Sequence, residues 1–201
     1  MPLPPPDCDR QHLHTRKVTC TGYRRSDGMW DIEGHITDEK TYPFDSTSRG
    51  HVAPGDFVHE MWVRLTVDND FTVRAVAAVT DASPFPLCPN ITPNFQRLVG
   101  LRIASGWTAA VKERLGGVEG CTHLVELLGP VATTAFQTIA PILNKEAEER
   151  RKAAADRGDP VRPRRRPPLI DTCHAFSSDG PVVKQAWPEF YTGPRETGAR
   201  D

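Results

Sequence analysis

The stretch Phe57-Val58-His59-Glu60-Met61-Trp62-Val63-Arg64-Leu65-Thr66-Val67 decides the fold. Phe57, His59, Met61, Val63, Leu65 and Val67 fall on one side at a period of two, while Asp56, Glu60, Arg64 and Thr66 fall mostly on the other. That alternation predicts a half-buried strand over about 56–67. A strand wetted on one face belongs to an antiparallel sheet, since parallel sheets are covered on both faces. Upstream, 15–24 puts Val18, Cys20 and Gly22 on one face, and 29–38 turns Trp30, Ile32 and Ile36 inward. Ser26-Asp27-Gly28 supplies the turn between them. Downstream, 71–80 follows Asp68-Asn69-Asp70 as a fourth strand, and 39–55 reads as a loop ending in Ala53-Pro54-Gly55.

Past this region the composition changes. Pro84, Pro86, Pro89 and Pro93 make 83–93 rigid and irregular. Helical spacing takes over near 94–99, 106–115 and 121–142, with Gly116-Gly117 parting the last two. Strands first and helices later specify an α+β fold: an antiparallel sheet of about four strands packed on a long helix in the C-terminal half and shorter helices. Residues 1–14 read as a flexible arm and 15–145 as the single domain. The charged stretch 146–168, with Arg162-Pro163-Arg164-Arg165-Arg166, reads as a helix end and a linker. Residues 169–192 regain Ile170, Phe176, Val183 and Trp187 and are expected to dock on the core, with 193–201 disordered.

The bulk numbers exclude several classes. Lys and Arg number 25 against 26 Asp and Glu, a net charge of −1, which argues against a general polyanion binder. The arginine run has no interleaved aromatics, so nucleic acid is not an expected partner. No apolar run approaches the roughly 20 residues of a membrane span. Met1-Pro2-Leu3-Pro4-Pro5-Pro6 lacks the pattern of a signal peptide, so a cytoplasmic location is expected. There the five cysteines are thiols, ligands or nucleophiles, not a disulfide frame.

The long helix carries the chemistry. On a wheel of about 100° per residue, Leu124, Val125, Leu128, Val131, Ala132, Ala135, Phe136 and Ile139 share one side. His123, Glu126, Thr133, Thr134 and Gln137 share the other. This polar side is poor in charge, as expected of a pocket lining; a plain solvent face is the alternative. His123 and Glu126 are neighbours at a spacing of three, fit to be a base and its orienter or two ligands. Gly129-Pro130 is expected to kink the helix.

Cys121 opens the helix, where a thiolate, a metal ligand or a small buried thiol all fit. If both residues were helical, Cys121 and His123 would point about 160° apart, so a joint site needs Cys121 before the first turn. His59, on the inward face of the strand, is either a core histidine or a base projecting into a pocket. Cys88, Cys121 and His123 form the candidate metal set for one divalent ion, Zn or Fe, although their spacing matches no finger or ribbon. Cys20 reads as structural and Cys8 as incidental. Cys173-His174 makes a second compact cluster whose role stays open. Arg24 is a candidate for binding a substrate carboxylate, with surface ion pairing as the plainer use.

Three segments together, Gly22-Tyr23-Arg24-Arg25…Trp30-Asp31-Ile32-Glu33-Gly34, Pro54-Gly55…His59-Glu60-Met61 and Gly120-Cys121-Thr122-His123-Leu124, resemble a bacterial family catalogued as domain of unknown function 2889. The resemblance covers about 15–145. It implies a soluble protein encoded near catabolic genes and carries no established activity. The resulting expectation is a small-molecule catabolic enzyme, a lyase or hydrolase acting on an aromatic or carboxylate-bearing metabolite. His59 and His123 would be its base and acid, or metal ligands, and Glu126 the orienter. Arg24, Thr133, Thr134 and Gln137 would bind substrate, with no cofactor or one divalent metal. The rivals are a metal- or ligand-binding accessory protein and a dimerising interaction module.

Overall fold

A computed structural model describes residues 3–160 and 164–194. Strands β1 (His14–Arg24), β2 (Trp30–Lys40), β5 (Phe57–Val67) and β6 (Val73–Ala82) form one antiparallel sheet in the order β1-β2-β5-β6. Its register follows from the alternation. Ile36 lies opposite Met61, Gly34 opposite Val63 and Ile32 opposite Leu65, so the inward apolar residues meet across strands. Trp30, Ile32, Ile36, Met61, Val63, Leu65 and Val67 are all buried on that face. The fold is α+β, as its order of elements requires.

Two further strands, β3 (Phe44–Ser46) and β4 (Gly50–Val52), pair as a hairpin within the stretch expected to be a loop. Each has three residues, too few to show a period of two, and only Val52 is buried.

The helices cover one face of the sheet. Residues Cys88–Leu98 form a 3₁₀ segment around Pro89 and Pro93, earlier than the short helix expected near 94–99. Its Phe95 and Leu98 enter the core, and the Gln96 amide donates to the Val76 carbonyl at 2.6 Å. Helix α1 (Trp107–Leu115) buries Trp107, Val111 and Leu115, one stripe at a spacing of four. The indole N–H of Trp107 donates to the Leu128 carbonyl at 3.2 Å and pins α1 to the next helix.

That helix, α2 (Thr122–Asp156), runs unbroken through Pro130 and Pro141 into the charged stretch. Leu124, Leu127, Leu128, Val131, Ala132, Ala135 and Ile139 are buried. Two glycines let it lie close on the sheet. A Cβ on Gly34 would stand 2.5 Å from Val131 Cγ2, and one on Gly22 would stand 1.9 Å from Thr138 Oγ1. Val131 thus sits over Gly34 and Thr138 over Gly22, which fixes how α2 runs along β1 and β2. Its N-terminal turn therefore falls toward the Asp38 end of β2.

The chain divides into two units, 1–148 and 149–201. In the second, helix α3 (Pro181–Ala186) buries Val183, and Ile170 is buried as well. Phe176 and Trp187 meet at a tilt of 48° with ring centres 5.9 Å apart. The Phe176 carbonyl accepts the Asp171 N–H at 2.8 Å, and Arg166 pairs with Asp171 at 2.5 Å. The expected linker residues 161–163 and most of the expected tail end, 195–201, lie outside the described residues, as do the first two residues of the expected arm.

Candidate functional site

One row across the sheet is polar where its neighbours are not. Asp38 is opposite Arg16 on one side and opposite His59 on the other. All three share the inward phase occupied in the next row by Val18, Ile36 and Met61. A β-bulge between Asp38 and Glu39 ends the regular pairing just beyond it. The first turn of α2 places His123 over this row. The His59 and His123 rings lie 3.8 Å apart between centres, tilted by 33°.

Asp38 is the hub. Its side chain is 2% exposed. Arg16 donates from Nε to Oδ1 at 2.8 Å and from Nη2 to Oδ2 at 2.9 Å. His14 Nε2 meets Oδ1 at 2.8 Å, and His59 Nδ1 meets Oδ2 at 3.0 Å. Those four contacts use the roughly four acceptor positions of a carboxylate. Burial pushes the Asp38 pKa up, but the Arg16 and His14 bonds outweigh it and hold the group at about 2. Arg16 is raised chiefly by its bonds to Asp38 and stays cationic.

Both site histidines shift the other way. Burial lowers His59 first, and the neighbouring His123 lowers it further against the pull of Asp38. Burial also lowers His123, aided by Arg16 and opposed by Asp38 and Glu126. Both imidazoles are therefore neutral near pH 7. Because Nδ1 of His59 must carry a proton to donate to a carboxylate, its Nε2 holds the free lone pair.

Cys121 precedes helical Thr122, so the opposed directions of two helical residues do not apply. Its Sγ lies 3.9 Å from His123 Nδ1 and 3.8 Å from Met61 Sδ. Gly120, in extended conformation, makes that turn possible: a Cβ there would stand 2.2 Å from the Leu115 carbonyl oxygen.

The other expected site residues are elsewhere. Glu126 accepts from Arg16 Nη1 at 2.7 Å and is 59% exposed. The carboxylate that holds a histidine is Asp38. Thr133 and Gln137 are exposed, and the Thr133 hydroxyl donates to the Gly129 carbonyl at 3.2 Å. Thr134 bonds the Cys20 thiol, whose pKa burial raises. Arg24 lies eight residues along β1 from Arg16, about 26 Å at the usual strand rise. It pairs with Glu146 at 2.8 Å and lies over the Trp30 ring. The polar face of the helix wheel thus splits. His123 in its first turn and Thr134 reach the sheet, while Thr133 and Gln137 look outward.

A metal set also forms, with different members. One oxygen of Asp38 and one nitrogen each of His59 and His123 lie within 4.8 Å of one another, the one such group among the described residues. Cys88 stands outside it, and so does Cys121. Beside the site, a cleft of about 160 Å³ runs between α1 and α2, lined by Trp107, Val111, Lys112, Val125, Glu126 and Leu128.

Sequence reasoning passed over Asp38, Arg16 and His14. The signal was present in phase: Asp38 continues the series Trp30, Ile32, Gly34, Ile36, and Arg16 the series Val18, Cys20, Gly22. A charge on an inward phase is uncommon and points to a partner across the sheet.

This is an α+β protein with a buried carboxylate beside two imidazoles in ring contact. The chain belongs to the family described as protein of unknown function DUF2889, whose model matches residues 14–137. That span runs from the start of β1 into α2 and contains the whole site. No curated protein and no solved structure matches the chain. Among the described residues, no helix is long and apolar enough to cross a membrane.

Proposed function

We propose that the Asp38–His59–His123 centre is the acid–base site of a small-molecule hydrolase or lyase acting on an aromatic or carboxylate-bearing metabolite. The saturated Asp38 carboxylate carries this reading, since one of its four bonds fixes His59 with Nε2 unprotonated. His59 Nε2 takes a proton from water or from the substrate. Asp38, which stays ionised, stabilises the imidazolium that forms. His123, with Nδ1 turned toward Cys121, presents Nε2–H to a developing negative charge. With centres 3.8 Å apart, the two rings do not both hold an extra proton, which separates base from acid. The cleft beside Glu126 has room for about one aromatic ring.

A panel of activated esters and aromatic hydroxy acids tests the proposal. His59→Gln and Asp38→Asn are each expected to lower kcat/KM on an active substrate by about 10²- to 10⁴-fold. Unchanged turnover in folded His59→Gln protein would sink it.

A second reading is favoured by the convergence of three ligand atoms within 4.8 Å. In it a divalent metal, Zn or Fe, is held by His59, His123 and Asp38. The donor count supports it less well. Asp38 has no free acceptor position until His14 or His59 lets go, and the Arg16 guanidinium sits on both its oxygens. Elemental analysis of the purified chain separates the two: a stoichiometric metal removed by His59→Gln would establish the metal centre.

A further inference from the structure

The acid–base reading leaves one group at the site unused. Cys121 is half-buried, next to His123 and on the same side of the sheet as His59. Its Sγ has two partners, Met61 Sδ at 3.8 Å and His123 Nδ1 at 3.9 Å, and the imidazole nitrogen is the one that can take up a proton. In the tautomer of neutral His123 with its proton on Nε2, Nδ1 is free to accept the thiol proton. Behind His123 stands His59, and behind His59 stands Asp38. Thiol, imidazole, imidazole and carboxylate therefore follow one another in contact. The other cysteines lack this setting. Cys8 and Cys173 are exposed, Cys20 bonds Thr134, and Cys88, though half-buried, stands outside the Asp38–His59–His123 group.

We propose that Cys121 is the nucleophile of this site and that its substrates are activated acyl compounds, esters or thioesters. The inference rests on the hydrolase form of the proposed function and specifies how bond cleavage would be divided between two histidines.

In the first half, Cys121 Sγ attacks the acyl carbon and an S–C bond forms. The thiol proton passes to His123 Nδ1. It leaves on the departing alkoxide or thiolate as the C–O or C–S bond breaks. In the second half, water adds to the acyl carbon and gives a proton to His59 Nε2. The S–C bond breaks, and the sulfur recovers that proton. Ester and water become acid and alcohol; thioester and water become acid and thiol. No oxidant or metal takes part. With Sγ 3.9 Å from His123 Nδ1 and the His59 ring centre 3.8 Å from that of His123, one histidine serves each half, which a Cys–His pair without the second ring does not offer.

The probe is p-nitrophenyl acetate, mixed with the full chain and followed by p-nitrophenolate release and peptide mass mapping. The expected result is an acetyl group on Cys121 ahead of Cys8 and Cys173, with an initial burst near one equivalent. Cys121→Ser abolishes the burst, and the double variant Cys8→Ser/Cys173→Ser keeps it. His123→Asn slows acetylation by about 100-fold. His59→Gln leaves acetylation in place and lengthens the life of the adduct by a similar factor. Circular dichroism of each variant verifies the fold. Acetylation spread evenly over the exposed cysteines, or ester turnover that survives in Cys121→Ser, overturns the proposal. Turnover that survives there but still depends on His59 leaves the acid–base site standing without a covalent step. Labelled Cys121 with an adduct lifetime indifferent to His59 has the opposite meaning: the nucleophile holds and the assigned base fails.

Discussion

The two ends of the interface between α2 and the sheet are built from the same strands and differ in what faces the helix. At one end Gly22, Ile32 and Leu65 form a row, and Thr138 settles into the space that Gly22 leaves. At the other, Arg16, Asp38 and His59 form the row, and His123 stacks on His59. The apolar end gains stability from close approach and has no group left over for chemistry. The polar end must satisfy a buried carboxylate, and doing so brings in a guanidinium and two imidazoles of β1 and β5. The contrast teaches that the site is one substituted row of an ordinary core. It is not a separate appendage, so its stability and its chemistry share residues.

If that is right, the polar end is where substitution should cost most. Asp38→Asn keeps the shape but removes the charge that Arg16 pairs with, and is expected to lower unfolding free energy by about 3 kcal/mol. The urea midpoint would measure it. The pH dependence carries a defined sign. Asp38 falls from an ordinary 3.8 to about 2 on folding, so its contribution is complete above about pH 4 and lost as pH falls toward 2. By the same shift it is worth about 2 kcal/mol. The variant should show a flatter stability curve in that window, and an unchanged curve would mean that Asp38 is not the hub.

The apolar end has its own breaking point. Gly34→Ala forces a methyl to within 2.5 Å of Val131 Cγ2 and should cost about 2 kcal/mol with little change in m-value. Thermal or urea unfolding would show it. If the variant is as stable as the parent, α2 does not lie as close as the structure places it.

The smallest effect belongs to the outward face of α2. Thr133→Ala and Gln137→Ala should each change stability by less than about 0.5 kcal/mol and leave turnover of an active substrate intact. A loss of activity there would restore the substrate-binding role that their residue types suggest.

Much of this was legible in residue order. Alternation over β5 gave the inward phase of His59 and the antiparallel sheet, and the wheel gave the buried side of α2. What stayed hidden was register. That Asp38 stands between Arg16 and His59 depends on two strand pairings, and no local period encodes which residues of different strands meet. Glu126 looked like the orienting carboxylate because spacing on one helix is visible in a sequence, whereas the bond of Asp38 to His59 across two strands is not. The position of Cys121 turned on where the first turn begins, a boundary of one residue that periodicity cannot fix.

The filled carboxylate at Asp38 has a consequence for what the site will accept. One guanidinium stands against two carboxylates, Asp38 and Glu126, while the imidazoles of His59 and His123 are neutral. With every imidazole at the site unprotonated, His14 included, these groups sum to a net negative charge. On the proposed reading, an anionic ligand is attracted only after one imidazole gains a proton, so binding and proton uptake are thermodynamically linked. Affinity for an anion would rise as pH falls, and a calorimetric titration in buffers of different ionisation enthalpy would count the proton taken up with each molecule bound.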